Sequence, residues 1–74
     1  MNYYECWMIV EGAQDSEYLA PSWDKAERWM ANEIIECQAE KVDAQAYFIA
    51  HAHGMYLDCE CVQYLTSHQP FLRT

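Results

Sequence analysis

The stretch QAYFIAHAHGMYLDCECV, residues 45–62, decides the fold. It reads as two β-strands joined by a tight turn at His53-Gly54, where the glycine supplies the positive φ that a two-residue primed turn requires. Histidine is less usual than Asn or Asp at the first turn position, so a loop of three or four residues is the alternative. With the tight turn, Ala52 pairs with Met55, His51 with Tyr56, Ala50 with Leu57, and Ile49 with Asp58. Phe48 then pairs with Cys59, Tyr47 with Glu60 and Ala46 with Cys61. Side chains alternate across a strand. One face therefore collects Ala46, Phe48, Ala50, Ala52, Met55, Leu57, Cys59 and Cys61, all apolar. The other collects Gln45, Tyr47, Ile49, His51, Tyr56, Asp58, Glu60 and Val62. A one-residue slip would bury Asp58 and Glu60, so the pattern itself selects the register.

Working outward, Asn2–Glu11 (NYYECWMIVE) alternates in the same way. Tyr4, Cys6, Met8 and Val10 match the apolar face, and Tyr3, Glu5, Trp7 and Ile9 match the aromatic-acidic one. Gly12–Ser16 is a turn by composition, and Glu17–Ala20 is a short edge strand before Pro21. Ser22 is an N-cap with Asp24 in the first turn, which predicts a helix from Trp23 to about Glu40. At helical spacing Trp23, Ala26, Met30, Ile34 and Cys37 form one narrow stripe, the partner for the apolar sheet face. Lys41–Ala44 connects to the hairpin. Gln63–Leu65 extends the last strand, and Thr66–Thr74 reads as a tail with a turn near Pro70. The expected fold is α+β, β(β)αββ in order: a small antiparallel sheet of three to four strands with one helix packed on one face. It is a single domain over residues 1–74 with an ordered core of about 2–65.

Composition narrows the class. The 74 residues carry 12 acids against 4 Lys/Arg, a net charge of −8. That balance opposes phosphate-backbone binding and suits a soluble protein or one aimed at a basic surface. An aromatic content of 15% with 2 Gly and 2 Pro argues against disorder. The start of the chain lacks a basic region followed by an apolar core, and no apolar run approaches the ~20 residues that span a bilayer. The expected location is the cytoplasm (a host cell's, if the chain is phage-encoded), with its 4 cysteines reduced.

His51-x-His53 followed by Cys59-x-Cys61 suggests a zinc site. Structural zinc needs four converging ligands, often with C-x2-4-C spacing, and the expected register puts His51 on the outer face and both cysteines on the inner one. Cys59 and Cys61 read instead as small core residues. A cysteine nucleophile needs an electropositive, partly open setting, whereas the chain is acidic and Cys6, Cys37, Cys59 and Cys61 all fall on inward faces. There is no Cys-x-x-Cys, Gly-rich phosphate loop or nucleophile elbow. Carboxylate pairs are too abundant to mark an acid/base site, and one helix on a small sheet leaves little room for a pocket of ~300 Å³ or more. No catalytic residue, metal or cofactor is expected, and the chain reads as a non-enzyme.

Binding surfaces are the stronger signal. The outer sheet face gathers Tyr3, Glu5, Trp7, Ile9, Tyr47, Ile49, Tyr56, Asp58 and Glu60 with no second helix to cover it. Aromatic sheet faces stack single-stranded nucleic acid in some modules, but those carry Lys or Arg where this one carries Glu and Asp. Tyr and Trp instead resemble the core of a protein interface or dimer contact. The alternative is that the tail, through Phe71 and Leu72, covers part of the face. The second surface is the helix flank Trp29, Glu33, Glu36 and Glu40, at spacings of four, three and four. A charge run is usually a solvated face, but a Trp among carboxylates, with Asp15, Glu17, Asp24 and Glu27 nearby, makes a broad negative surface. The run EYLAPSWDKAERWMANE (17–33) after a strand and before a hairpin resembles small phage and mobile-element accessory proteins. Some compact anti-CRISPR proteins share that layout, and the likeness spans about residues 3–62. The resemblance implies an inhibitor that acts by binding a protein or ribonucleoprotein with a basic surface. The alternatives are a module that dimerises through its aromatic sheet face and a small zinc-binding protein.

Overall fold

In the computed structural model, which describes residues 2–52, 55–56 (backbone alone) and 61–68, five strands and one helix follow in order. They are β1 (Asn2–Val10), β2 (Ala13–Ala20), α1 (Trp23–Glu40), β3 (Ala44–Ala52), β4 (Met55–Tyr56) and β5 (Val62–Thr66). The sheet runs β2-β1-β3, and the far edge of β3 is shared by β4 and β5. β4 pairs with His51 and Ala52, and β5 with the stretch Gln45–Phe48. Every pairing is antiparallel, so the sheet is three strands wide plus a divided fourth. This is the expected α+β architecture with one helix on one face.

Each boundary has a local cause. Ser22 caps α1: its Oγ accepts from the Lys25 N–H at 3.3 Å, satisfying one otherwise orphaned donor. At the other end Lys41 takes the left-handed conformation (φ 60°), and the backbone N–H groups of Lys41 and Val42 close on Gln38 and Cys37 carbonyls at 3.1 Å each. β1 and β2 turn through Glu11 (φ 52°) and Gly12 (φ 82°), two positive φ values in succession as a primed hairpin turn needs. The turn is therefore two residues long and not Gly12–Ser16, and the polar Ala13–Ser16 segment continues the edge strand. Between Met8 and Ile9 the β1–β2 register shifts, which leaves Asp15 as the extra residue of a bulge.

The hairpin begins as expected, with Ala52 opposite Met55 and His51 opposite Tyr56. Farther along, the expected ladder is wrong. Phe48 faces Val62, not Cys59; Tyr47 faces Gln63, not Glu60; Ala46 faces Leu65, not Cys61. Three more residues are taken up before pairing resumes at Phe48, and a bulge between Ala46 and Tyr47 adds another. The physical reason lies in size. The shift brings Tyr64 and Leu65 to the helix side, where Leu65 is buried and Tyr64 packs against the core, removing more apolar area from water than two cysteines would. Cys61 is exposed, which corrects its expected place in the core. Leu57, Asp58, Cys59, Glu60, Phe71 and Leu72 lie outside the described residues. The expected tail also begins later than Thr66. Ser67 accepts from Ala44 N–H and donates to the Val42 carbonyl, both at 3.0 Å, and His68 Nε2 lies 2.9 Å from Asp43.

The core sits between helix and sheet: Cys6, Met8, Ala20, Ala26, Met30, Ile34, Cys37, Ala44, Ala46 and Leu65. Alanines on both layers let the helix lie close to the strands. At the helix N-terminus Trp23 plugs the open end, 5.4 Å from Tyr4, 4.9 Å from Phe48 and 5.2 Å from Tyr64 between ring centroids, in the tilted and edge-on geometries aromatic rings prefer. The Tyr64 hydroxyl also donates to the Glu27 carboxylate, and that bond pushes its pKa up to about 12. Two substitutions test this packing by urea denaturation. Met30, fully buried, should cost about 2–5 kcal/mol when changed to Ala. The buried Ser16 hydroxyl has no hydrogen-bond partner among the described residues, so Ser16→Ala should stabilise the fold by about 1 kcal/mol.

Candidate interaction surfaces

The outer sheet face forms largely as expected. Pairing of β1 with β3 sets Tyr3 beside His51, Glu5 beside Ile49, Trp7 beside Tyr47 and Ile9 beside Gln45. β2 adds two residues that sequence reasoning missed, Leu19 opposite Glu5 and Glu17 opposite Trp7. Leu19 is 62% exposed, an apolar side chain standing in water on a face rich in aromatics. The Glu11-Gly12 turn alone would set Glu17 opposite Cys6 and Leu19 opposite Tyr4, on the helix side; the bulge at Asp15, which no sequence pattern marks, moves both to the outer face. Tyr56 is placed beside His51 by its backbone, and Asp58 and Glu60 are not among the described residues.

His51 is the buried exception on this face. Its ring stacks on Tyr3 at 4.4 Å and 7°, and its Nε2 lies 3.1 Å from Glu5 Oε1. The arrangement orients Glu5 and stiffens the upper part of the face. Lower down, Trp7, Ile9, Tyr47 and Cys61 line a depression of about 320 Å³. Toward the edge strand Glu5, Glu17, Tyr18 and Leu19 line another of about 230 Å³. Both are shallow recesses on a surface.

The helix flank divides. Trp29 is not the open anchor its spacing suggested: it stacks on Tyr18 of β2 at 5.5 Å and 30° and packs against the core. Edge strand β2, whose bulge at Asp15 sets Tyr18 opposite Cys6 on the helix side, supplies that cover. Glu33, Glu36 and Glu40 remain as a run, with Glu33 partly buried and the other two exposed. The β2 bulge brings the charge of Asp15 to them. Burial, Glu36 and Asp15, in that order, raise the Glu33 pKa above its ordinary 4.5. Among the described residues no salt bridge engages any of these four acids; Arg28 pairs instead with Asp24, at 2.7 Å one turn away.

The buried thiols are poorly suited to nucleophilic chemistry. Burial and then Glu5 push Cys6 up to about 11, and burial followed by the surrounding acids raises Cys37. A raised thiol pKa depletes the reactive thiolate. Among the described residues no group of three or more His, Cys, Asp or Glu is placed to hold a metal ion; His53 and Cys59 of the expected zinc cluster lie outside them. No described helix is long and apolar enough to cross a membrane. Comparison with known proteins finds no matching family model, no similar curated protein and no similar solved structure.

The raised Glu33 pKa has a stability consequence of definite sign. Above its folded-state pKa the charged carboxylate is less favourable in the native protein than in the unfolded chain. As pH falls through that value, the native state takes up the proton first and the cost is relieved. Glu33→Gln should therefore raise the melting temperature at neutral pH. The gain should shrink on acidification and vanish below the ordinary glutamate value of 4.5, a dependence that thermal melts across pH read directly.

Proposed function

We propose that this chain is a small acidic binding protein that works without catalysis, occupying a basic surface of a nucleic-acid-handling protein or ribonucleoprotein in the cytoplasm. An inhibitor of the anti-CRISPR type acts in this way. The observation that carries the reading is the helix flank. Glu33, Glu36 and Glu40 stand with Asp15 as a group of like charges, unneutralised among the described residues, and at Glu33 the charges of Glu36 and Asp15 add to burial, the larger cause, in raising the carboxyl pKa. A fold that keeps repulsive charges together gains nothing from them in stability, while a cationic partner would relieve the repulsion on binding. The spacing of carboxylates along one helix side resembles a row of phosphates, which suits competition for a nucleic-acid groove.

A second reading, self-association through the outer sheet face, draws support from the exposed Leu19 and its aromatic neighbours. Glu5 and Glu17 on that same face weigh against it, because a two-fold contact would bring like charges together.

Affinity capture from a bacterial lysate containing nucleic-acid-handling defence complexes tests the proposal. The parent chain should retain a basic complex and lower that complex's affinity for its nucleic acid. The variant Glu33→Lys/Glu36→Lys/Glu40→Lys, shown to be folded by circular dichroism, should retain it no better than a blank resin. Equal retention by parent and variant would contradict the acidic flank as the contact.

A further inference from the structure

One row crosses the outer face from edge to edge. Glu17 on β2 sits opposite Trp7 on β1, Trp7 opposite Tyr47 on β3, and Tyr47 opposite Gln63 on β5. Neighbouring strands stand about 4.8 Å apart, so the carboxylate, the indole and the phenol are side by side. The Tyr47 hydroxyl donates to Gln63 Oε1 at 3.2 Å, which holds that ring in place. Beside the row the recess of about 320 Å³ between Trp7, Ile9, Tyr47 and Cys61 is apolar-walled and open to solvent. Glu5 and Glu17 border the neighbouring recess of about 230 Å³.

Among the described residues the fixed charge on this face has one sign. Of the chain's 4 Lys/Arg, Lys25 and Arg28 lie on α1 and Lys41 at its C-cap, so no described outer-face position carries a fixed positive charge. An aromatic pair with a carboxylate at its edge is a receptor for a cation. Arginine fits it better than lysine does. A guanidinium is planar and weakly hydrated, stacks on indole and phenol rings, and presents paired N–H donors to a carboxylate. Its three-carbon stem would lie along Ile9 in the recess.

We propose that the outer sheet face binds an arginine side chain of a partner protein, with the guanidinium stacked over Trp7 and Tyr47 and hydrogen-bonded to Glu17. The assignment rests on reading the chain as a binder of basic partners and names the group that one of its surfaces recognises. Nucleic acid is the wrong occupant, because Glu5 and Glu17 would face its phosphates. A second copy would meet the same two carboxylates.

The test is an NMR titration of the full chain, at physiological salt, with a capped pentapeptide bearing one central arginine. The Trp7 indole N–H and the Tyr47 ring resonances should shift and saturate. The same peptide with citrulline, isosteric but uncharged, should bind at least about tenfold more weakly, and the lysine peptide should also fall below arginine. Glu17→Gln, at an exposed edge position, should weaken the arginine peptide severalfold while leaving the amide spectrum otherwise intact. Trp7→Ala should abolish binding; should it unfold the chain, Trp7→Leu replaces it. Equal affinity for arginine and citrulline peptides, or an unchanged affinity in Glu17→Gln, overturns the proposal. Shifts of the Trp7 indole that follow protein concentration alone would assign the face to a second copy and also overturn it. Failure here, with lysate capture still dependent on Glu33, Glu36 and Glu40, removes this site and leaves the acidic-flank reading standing. Loss of that capture dependence with arginine binding intact does the reverse.

Discussion

The structure depends on one packing contact: the narrow stripe Ala26, Met30, Ile34 and Cys37 of α1 pressed on Cys6 and Met8 of β1 and the alanines of β2 and β3. A chain of 74 residues has apolar material for about one such layer. The single helix covers one sheet face, and the other must be closed by its own side chains or by something else. The aromatic plug of Tyr4, Trp23, Phe48 and Tyr64 seals the sandwiched side at the helix N-terminus. The Ser67 and Asp43 bonds fasten the opposite corner, where the helix ends, β3 begins and β5 finishes.

Charge is distributed according to the same division. Acids crowd the helix flank, where they add to the burial that raises the pKa values of Glu33 and Cys37. They also rim the aromatic outer face through Glu5 and Glu17. On the proposed reading, the two surfaces would meet cationic partners by different means. The flank offers a linear array of carboxylates, whereas the sheet face offers rings and recesses with a carboxylate at the edge. Two surfaces of one sign on opposite sides of a thin domain would let a single small chain engage a basic groove and a neighbouring arginine-bearing segment together.

Much of the fold was legible in the sequence because period-two alternation in β1 and period-3.6 spacing in α1 are each unambiguous there. Ser22, the helix and the face assignments of Tyr3, Glu5, Trp7, Ile9, Tyr47 and Ile49 follow from those patterns. The errors came where alternation breaks. A bulge at Asp15 and another opposite Ala46–Tyr47 shift the register by a residue, and no periodic reading anticipates them. Continuing the hairpin ladder to Cys61 treated a small thiol as core when Tyr64 and Leu65, three and four residues on, had more apolar area to bury. Trp29 was misjudged for a related reason: the bulge at Asp15 turns Tyr18 of β2 to the helix side, opposite Cys6, where it covers the indole. Leu19 and Glu17 were missed as outer-face residues because the same bulge decides which way that strand faces.

The sheet is two-sided: α1 seals one face, and among the described residues no helix covers the other. Thiol labelling of the native chain, followed residue by residue with peptide mapping, tests it most directly, since cysteines mark both sides. Cys61 should react at close to the rate of an unfolded control, while Cys6 and Cys37 should react only as fast as the whole domain opens. Comparable protection of Cys61, or ready labelling of Cys6 and Cys37 under native conditions, would contradict the account.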